Sequence, residues 1–294
     1  MEQQNRVILK NKISITGDLG SGKSVVGNLI QKKLGFKVIS TGVIQREIAA
    51  RYQMTTLELN QYSETHPEID DEIDSVFKEL NYESEGLIVD SRLAWFFLFS
   101  SFKVYMQTNF RTSAQRIMKD SNRKSESYHN LDEAVEFIKA RKNSENSRFL
   151  QKYDANCNNF RNFDLLVDTS DASPEAVADL IIEKFEEWAS AQNYRAQYFL
   201  SPKKIYPSNK IQTETKNLPL QVIRNNFSYY IFQGHQTVKQ AILEQKPFIT
   251  AELLAQDHEK LANDQNTNDF LKNHWNLEIA KNWEKECGFL FGNL

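Results

Sequence analysis

Long apolar runs are missing from this 294-residue chain. The longest, LAWFFLF at 93–99, is far too short to cross a bilayer, so no membrane partner is expected. The N-terminal MEQQNR has no apolar stretch of the kind a secretory signal needs, which points to the cytoplasm. Cysteine is scarce. Cys157 and Cys287 stand far apart without metal-ligand spacing, which excludes a disulfide scaffold or a cysteine zinc site and predicts free thiols. An excess of one sign of charge is also lacking: 36 Lys and Arg face 39 Asp and Glu, for a net charge of −3. The balance is 24 basic against 29 acidic residues before position 195 and 12 against 10 from there on, so neither half is a basic module. A nucleic-acid partner for the C-terminal part is therefore possible but has no support from charge. Internal repeats and low-complexity segments are absent too. What is present is ordinary for a globular protein, 40% apolar and 26% charged residues, over a length that suggests two domains.

The first part of the chain alternates strands and helices. Strands are predicted at 12–16, 36–40, 86–90, 102–108 and 163–170, and helices at 23–34, 41–52, 55–80 (broken at Thr55-Thr56 and Pro67), 111–119, 131–151 and 173–189. Runs such as GLIVD at 86–90 are apolar throughout, as expected of parallel strands buried on both faces. The fold class implied is α/β, a parallel sheet with helices on both faces. The pattern stops at SAQNYRAQ, and the expected domains are 1–190 and 195–294.

Residues 17–24 read GDLGSGKS, which has the spacing of a phosphate-binding loop. Glycines let backbone N–H groups crowd round a polyphosphate, Lys23 reaches its outer phosphates, and the Ser24 hydroxyl suits magnesium. A strand carrying Ile13 and Ile15 enters the loop, and a helix carrying Val25, Val26, Leu29 and Ile30 leaves it with its N-terminus toward the phosphate.

Four further stretches bear on an acceptor. STGVIQRE at 40–47 puts hydroxyls, a glycine and Arg46 just after the second strand. HPEIDDEID at 66–74 is rich in carboxylates, which also suits a solvated helix face. VDSR at 89–92 ends a buried strand with Asp90, followed by Arg92. In RKNSENSR at 141–148, Arg141, Glu145 and Arg148 share a helix face, and Arg116 lies on the preceding helix. Alone, such a cluster is a surface ion-pair ladder. Beside a complete phosphate loop it suits phosphoryl transfer, where guanidinium forks neutralise the charge on the moving group.

From about 12 to 185 the chain resembles the cytidylate kinase family, in particular its short archaeal-type branch. After the loop come, in order, ISTGVIQRE, HPEIDDEID, VDSRLAW, RKNSENSRF and FDLLVDTSDASPEAV. The resemblance implies a P-loop kinase domain that uses ATP and Mg2+. Gly17, Gly20, Ser21, Gly22, Lys23 and Ser24 would hold the ATP phosphates, with Ser24 also toward the metal. Ser40, Gly42, Arg46, Asp70, Asp90 and Arg92 would line the acceptor site. Lys23, Arg116, Asp90 and the lid residues Arg141 and Arg148 would form the catalytic set, with Glu145 orienting the arginines. The chain departs from the family pattern at Lys142, where an acid is usual, at Ser91, which replaces a glycine, in the polar stretch 121–130, and in YDANCNNFRNFD.

The remainder has a different grammar. LPLQVIRNNFSYYIFQG suggests two strands joined at RNNFS, followed by a short helix (HQTVKQAILEQK), a strand (PFITAELL) and a helical tail over 258–287. YYIFQGHQTVKQAILEQKPFITAELL at 229–254 and YFLSPKKIYPSN at 198–209 resemble the ParB/sulfiredoxin fold, a smaller α+β domain. That resemblance implies an accessory anion site at Gly234 and His235, at the start of the helix. The arginine usual after it is missing, Gln236 and Thr237 standing there, so a sensing or inactive role is expected rather than catalysis. The function expected for the whole is ATP- and magnesium-dependent phosphorylation of a nucleoside monophosphate, CMP or dCMP first. The alternatives are a kinase for another small acceptor, a modified nucleotide or a DNA base, or a nucleotide-dependent switch with the second domain as output.

Overall fold

A computed structural model describes residues 9–54, 58–59, 62, 66, 68–119, 128–209, 218–262 and 264–291. The chain separates into two compact units, one of residues 1–165 and 174–195, the other of 166–173 and 196–294. The breaks expected at Thr55-Thr56 and Pro67, and most of the 121–130 stretch, lie outside the described residues. No helix among the described residues is long and apolar enough to cross a membrane.

The first unit is built on four parallel strands in the order β2 (Lys37–Ser40), β3 (Leu87–Asp90), β1 (Lys12–Gly17) and β4 (Ser101–Gln107). All six residues of β1 are buried, yet they alternate in polarity. Ile13 shares a face with its register partners Ile88 and Phe102. Against that face lie α1 (Lys23–Leu34), whose Gly27 would place a Cβ 3.8 Å from Ile88 Cγ2, and α7 (Pro174–Ser190), whose Phe185 and Trp188 rings stand 6.2 and 5.7 Å from Phe102.

The opposite face of β1 carries Ser14 and Thr16. Burying hydroxyls without partners would be costly, and here each is bonded: Ser101 Oγ donates to Ser14 Oγ at 3.0 Å, and Thr16 Oγ1 donates to Ser91 O at 2.9 Å. Tyr105, in register with Thr16, packs on Phe160 and Phe163 at 4.8 and 5.0 Å, and Trp95 of the short α4 (Ala94–Phe97) closes on Phe163 at 5.2 Å. Helices thus cover both faces, and LAWFFLF is largely core: Leu93, Ala94, Trp95, Phe97 and Leu98 are buried. This unit also contains the helices α2 (Thr41–Arg51), α3 (Glu68–Glu79), α5 (Phe110–Lys119) and α6 (Leu131–Tyr153). The unit boundary runs through β5 (Leu165–Asp168), shorter than the 163–170 expected.

The second unit mixes strand directions. β6 (Gln197–Leu200) pairs antiparallel with β10 (Ile249–Gln256), β10 parallel with β8 (Gln221–Asn225), β8 antiparallel with β9 (Ser228–Gln233), and β9 parallel with β7 (Ile205–Tyr206). The hairpin expected at RNNFS turns at Asn226, whose φ of 54° suits asparagine. Helices α8 (His235–Leu243), α9 (Thr267–His274) and α10 (Leu277–Cys287) complete this α+β unit, and Phe270 of α9 packs into a core with Ile223 and Ala255. Arg224, 2% exposed, lies in β8, and its guanidinium pairs with Asp257 at 2.6 Å. The other Asp257 oxygen accepts from Asn226 N at 2.8 Å, so one carboxylate holds both a buried cation and the hairpin turn. Asp257→Ala takes the carboxylate from a buried guanidinium and should accelerate hydrogen exchange in β8 about 100-fold, the equivalent of ~3 kcal/mol. Unchanged exchange rates would show that the pair is dispensable.

Candidate active site

The C-terminal ends of β1 and β3 lie side by side, Ile15 in register with Asp90, and the loop 17–24 springs from the same edge. Gly17 has φ 147°, and a Cβ there would stand 2.1 Å from Met106 O, so no other residue fits the start of the loop. Gly22, at φ 89°, caps α1. Lys23 opens the helix and folds back on its own loop, donating to Gly17 O at 3.0 Å and Asp18 O at 2.8 Å. Ser21 Oγ donates to Asp18 O at 2.8 Å, a local bond that helps set the loop's curvature. From α5, the Ser113 hydroxyl donates to Leu19 O, and Arg116 donates to Gly20 O at 3.3 Å. Burial, reinforced by the Arg92 charge, lowers the Lys23 ammonium to about 8, against the opposing pull of Asp90, Asp18 and Glu145.

Ser24 Oγ donates to Asp90 Oδ2 at 3.2 Å. Two hard oxygen donors at the foot of a phosphate loop fit magnesium, which keeps several waters and binds through one or two protein oxygens plus phosphates. Among the described residues there is no cluster of three or more His, Cys, Asp or Glu that could hold a metal ion. Ser91 Oγ accepts from Leu93 N at 3.4 Å, so this serine braces the turn that carries Arg92 away from the strand.

Glu145 of α6 gathers the arginines. One carboxylate oxygen pairs with Arg92 at 2.6 Å, and the other accepts from Arg141 Nε at 3.0 Å. The bond from Arg141 to Glu145 follows the i, i+4 spacing. The ion pair with Arg92, a close contact without hydrogen-bond alignment, crosses from the strand edge to the helix and has no signal in sequence spacing. Arg148 is not drawn in: it is exposed and lies over the Phe149 ring at 5.2 Å. The partner that the shared helix face offered to Glu145 is replaced by Arg92, because α6 turns Arg148 toward solvent.

Asp18 and Lys142 were not expected as a pair. Lys142 Nζ donates to Asp18 Oδ1 at 2.6 Å, with side chains 9% and 5% exposed. Tyr105 OH donates to the same oxygen at 2.8 Å, and Thr108 N to Oδ2 at 3.0 Å. Burial by itself would raise the Asp18 carboxyl; the Lys142 charge and these hydrogen bonds outweigh it and hold the group below its usual range. The cleft beside the loop is lined by Asp18, Arg92, Thr108, Phe110, Arg141 and Lys142, among others.

The residues expected beside an acceptor lie on other elements. Ser40 caps α2, its Oγ accepting from Val43 N at 3.3 Å, and exposed Arg46 reaches back toward Gly42. Asp70 of α3 pairs with Lys152 of α6, and Arg51 of α2 pairs with Glu72 of α3 at 2.7 Å. Ser40 and Asp70 are thus engaged within the protein, tying α2, α3 and α6 into one wall.

In the second unit, Gly234 and His235 find structural reasons. A Cβ on Gly234 would come 2.8 Å from Leu220 Cα, so the glycine permits close approach of a neighbouring chain segment. His235 is wholly buried, and its Nε2 accepts from Ser208 N at 3.1 Å. In place of the anion site expected at Gly234 and His235, the structure shows the His235 Nε2 accepting a hydrogen bond in the interior.

The sequence profile of the cytidylate kinase-like family matches residues 12–171. A cytidylate kinase of Thermoplasma volcanium is 34% identical over 187 residues, covering 62% of this chain and 95% of that protein. A cytidylate kinase of Methanobrevibacter smithii is 34% identical over 170 residues, 58% of this chain and 95% of that one. An S-adenosylmethionine-dependent nucleotide dehydratase of Lacinutrix mariniflava is 33% identical over 180 residues, 61% of this chain but 37% of the dehydratase.

The lowered Lys23 ammonium gives the loop a pH signature. A polyphosphate favours the charged form, so the pKa of about 8 should rise when nucleotide binds, protons should be taken up, and affinity should fall as pH rises through that value. Calorimetry of ATP binding at about pH 8.5 in two buffers of different ionisation enthalpy should show this uptake, and Lys23→Met should abolish it. Identical heats in both buffers would place Lys23 away from the phosphates.

Proposed function

The chain belongs to the cytidylate kinase-like family, and on that premise we propose that it transfers the terminal phosphate of ATP to a nucleoside monophosphate, CMP or dCMP first. The observation that carries this reading is the grip of one carboxylate, Glu145, on Arg92 and Arg141 beside a complete phosphate loop. Two guanidinium forks held on a single anion are arranged to receive another anion of similar shape, such as a phosphoryl group.

In this reading the backbone N–H groups of residues 17–24 hold the ATP phosphates. Lys23 leaves the Gly17 and Asp18 carbonyls for the terminal phosphate, and Arg116 supports the loop from behind. Ser24 and Asp90 would hold magnesium, which when bound would supply charge neutralisation to the phosphates. Arg92 and Arg46 hold the acceptor phosphate, while Ser40, Gly42 and Asp70 border the acceptor nucleoside. Arg141 and Arg148 come from the lid helix. An acceptor phosphate is already ionised, so no general base is needed. Rate comes from alignment and from neutralising charge where water is excluded.

A second reading has one observation in its favour. A relative over the kinase-like part is a nucleotide dehydratase, so a kinase-like segment of this kind also occurs within a nucleotide-modifying enzyme. The acceptor on that reading is a modified nucleotide.

A coupled assay of ADP release over a panel of nucleoside and deoxynucleoside monophosphates decides. Turnover should be highest with CMP or dCMP, and no turnover with any monophosphate of the panel would overturn the proposal. Preference for a modified nucleotide over both CMP and dCMP would select the second reading. Arg92→Lys should raise KM for the acceptor at least ~10-fold with little change in KM for ATP, because a lysine cannot copy a bidentate grip. The reverse split would move Arg92 to the ATP side.

A further inference from the structure

Lys142 and Asp18 form a buried ion pair between the phosphate loop and α6, and nothing in the phosphoryl-transfer reading yet uses it. Lys142 is also where the chain departs from the lid motif it resembles, and the structure supplies the counterpart: a carboxylate in the second position of the loop. Buried ion pairs are poor sources of net stability, because desolvation offsets attraction, and an apolar pair of similar volume serves as well or better. What such a pair supplies is a fixed geometry. Here it is over-determined. The Asp18 carboxylate is held by Tyr105 OH and Thr108 N, and the Lys142 ammonium lies 5.8 Å from the ring centres of both Tyr105 and Phe110.

The two ends of the pair lead directly into the site. Asp18 presents its carboxylate to Lys142 and its backbone carbonyl to Lys23. Lys142 sits beside Arg141 and within one helical turn of Glu145, the residue that grips Arg92. A shift of α6 along the loop would therefore move Arg141 and Glu145 relative to Lys23.

We propose that Asp18 and Lys142 are positioning residues that lock the register of α6 on the phosphate loop, so that Arg141 from the lid helix and Lys23 from the loop meet the same transferring phosphoryl group. This rests on the phosphoryl-transfer reading for its kinetic consequence, though the mechanical coupling of loop to helix does not need turnover. The two side chains face each other rather than the phosphates. Each acts through a neighbour: Asp18 through Lys23, and Lys142 through Arg141 and Glu145.

The test uses the full chain and three variants: Lys142→Met, Asp18→Asn and the double variant. Each single change leaves one buried polar partner without its mate and should lower the melting temperature. The double variant leaves no buried charge and should recover most of that loss. Its kcat should nevertheless stay about 100-fold below wild type, with KM for both substrates changed by less than about threefold, since what is lost is alignment. Hydrogen exchange with and without ATP and magnesium supplies the second readout. In the wild type, ATP should slow exchange both in 17–24 and in 131–149. In the double variant the loop should still be protected and the helix should not. A double variant with wild-type kcat and joint protection would overturn the proposal. If the wild type phosphorylates no monophosphate, the kinase reading fails by itself, and the exchange measurement alone decides the coupling: protection separated in the double variant upholds it, protection still joint refutes it.

Discussion

Five cationic side chains, those of Lys23, Arg92, Arg116, Arg141 and Lys142, converge on one short loop, and in a low-dielectric surrounding they repel one another. Their assembly depends on the anions interleaved with them. Glu145 stands between Arg92 and Arg141, Asp18 takes Lys142, and Asp90 lies at the foot of the loop with Ser24. The lowered Lys23 ammonium follows from this balance: burial first, then the Arg92 charge, act against the proton, and the three carboxylates offset only part of that. A polyphosphate entering the loop supplies the missing negative charge. The site is thus strained toward anions in the sense that matters for binding, with its positive charge already desolvated and aimed.

The fold delivers this arrangement through the ends of its parallel strands. β1 and β3 bring Gly17 and Asp90 to one edge, while the helices beyond them return with the partners: α5 with Ser113 and Arg116, α6 with Arg141, Lys142 and Glu145. The buried hydroxyls of β1 are part of the same economy of polar groups. Thr16 bonds the carbonyl of Ser91, directly ahead of Arg92, so the strand that launches the loop also steadies the turn that launches the arginine. Farther along α6, Lys152 and Tyr153 meet Asp70 and Asp74 of α3, so a single helix spans from the phosphate loop to α3.

How far this was legible in the sequence follows from the range of each interaction. The loop, the strand before it and the helix after it are local and periodic, and the expected helix 23–34 forms as Lys23–Leu34. The pairing of Arg141 with Glu145 follows from helical spacing. Asp18 and Lys142 are 124 positions apart in sequence, and a pair so separated leaves no periodic trace; Lys142 stood out only as a departure from a motif. The ion pair of Arg92 with Glu145 is hidden for the same reason, and Arg148 shows that a shared helix face does not guarantee a shared partner. In the second unit, a glycine and a histidine before a helix suggested an anion cradle. Tertiary packing gave them other work, Gly234 admitting Leu220 and His235 receiving the Ser208 N–H, because spacing alone does not tell a helix start that faces solvent from one that faces the core.

The central claim is that Glu145 holds Arg92 and Arg141 in the place of a phosphoryl group and yields them to one. A crystal structure of the full chain with a bisubstrate analogue, adenosine and cytidine joined through a polyphosphate, tests it most directly. The account predicts both guanidinium groups within hydrogen-bond reach of phosphate oxygens, Glu145 displaced from Arg92, and Lys23 Nζ lifted from the Gly17 and Asp18 carbonyls. A complex in which the analogue is bound and ordered while Glu145 keeps both arginines and Lys23 keeps both carbonyls would contradict it.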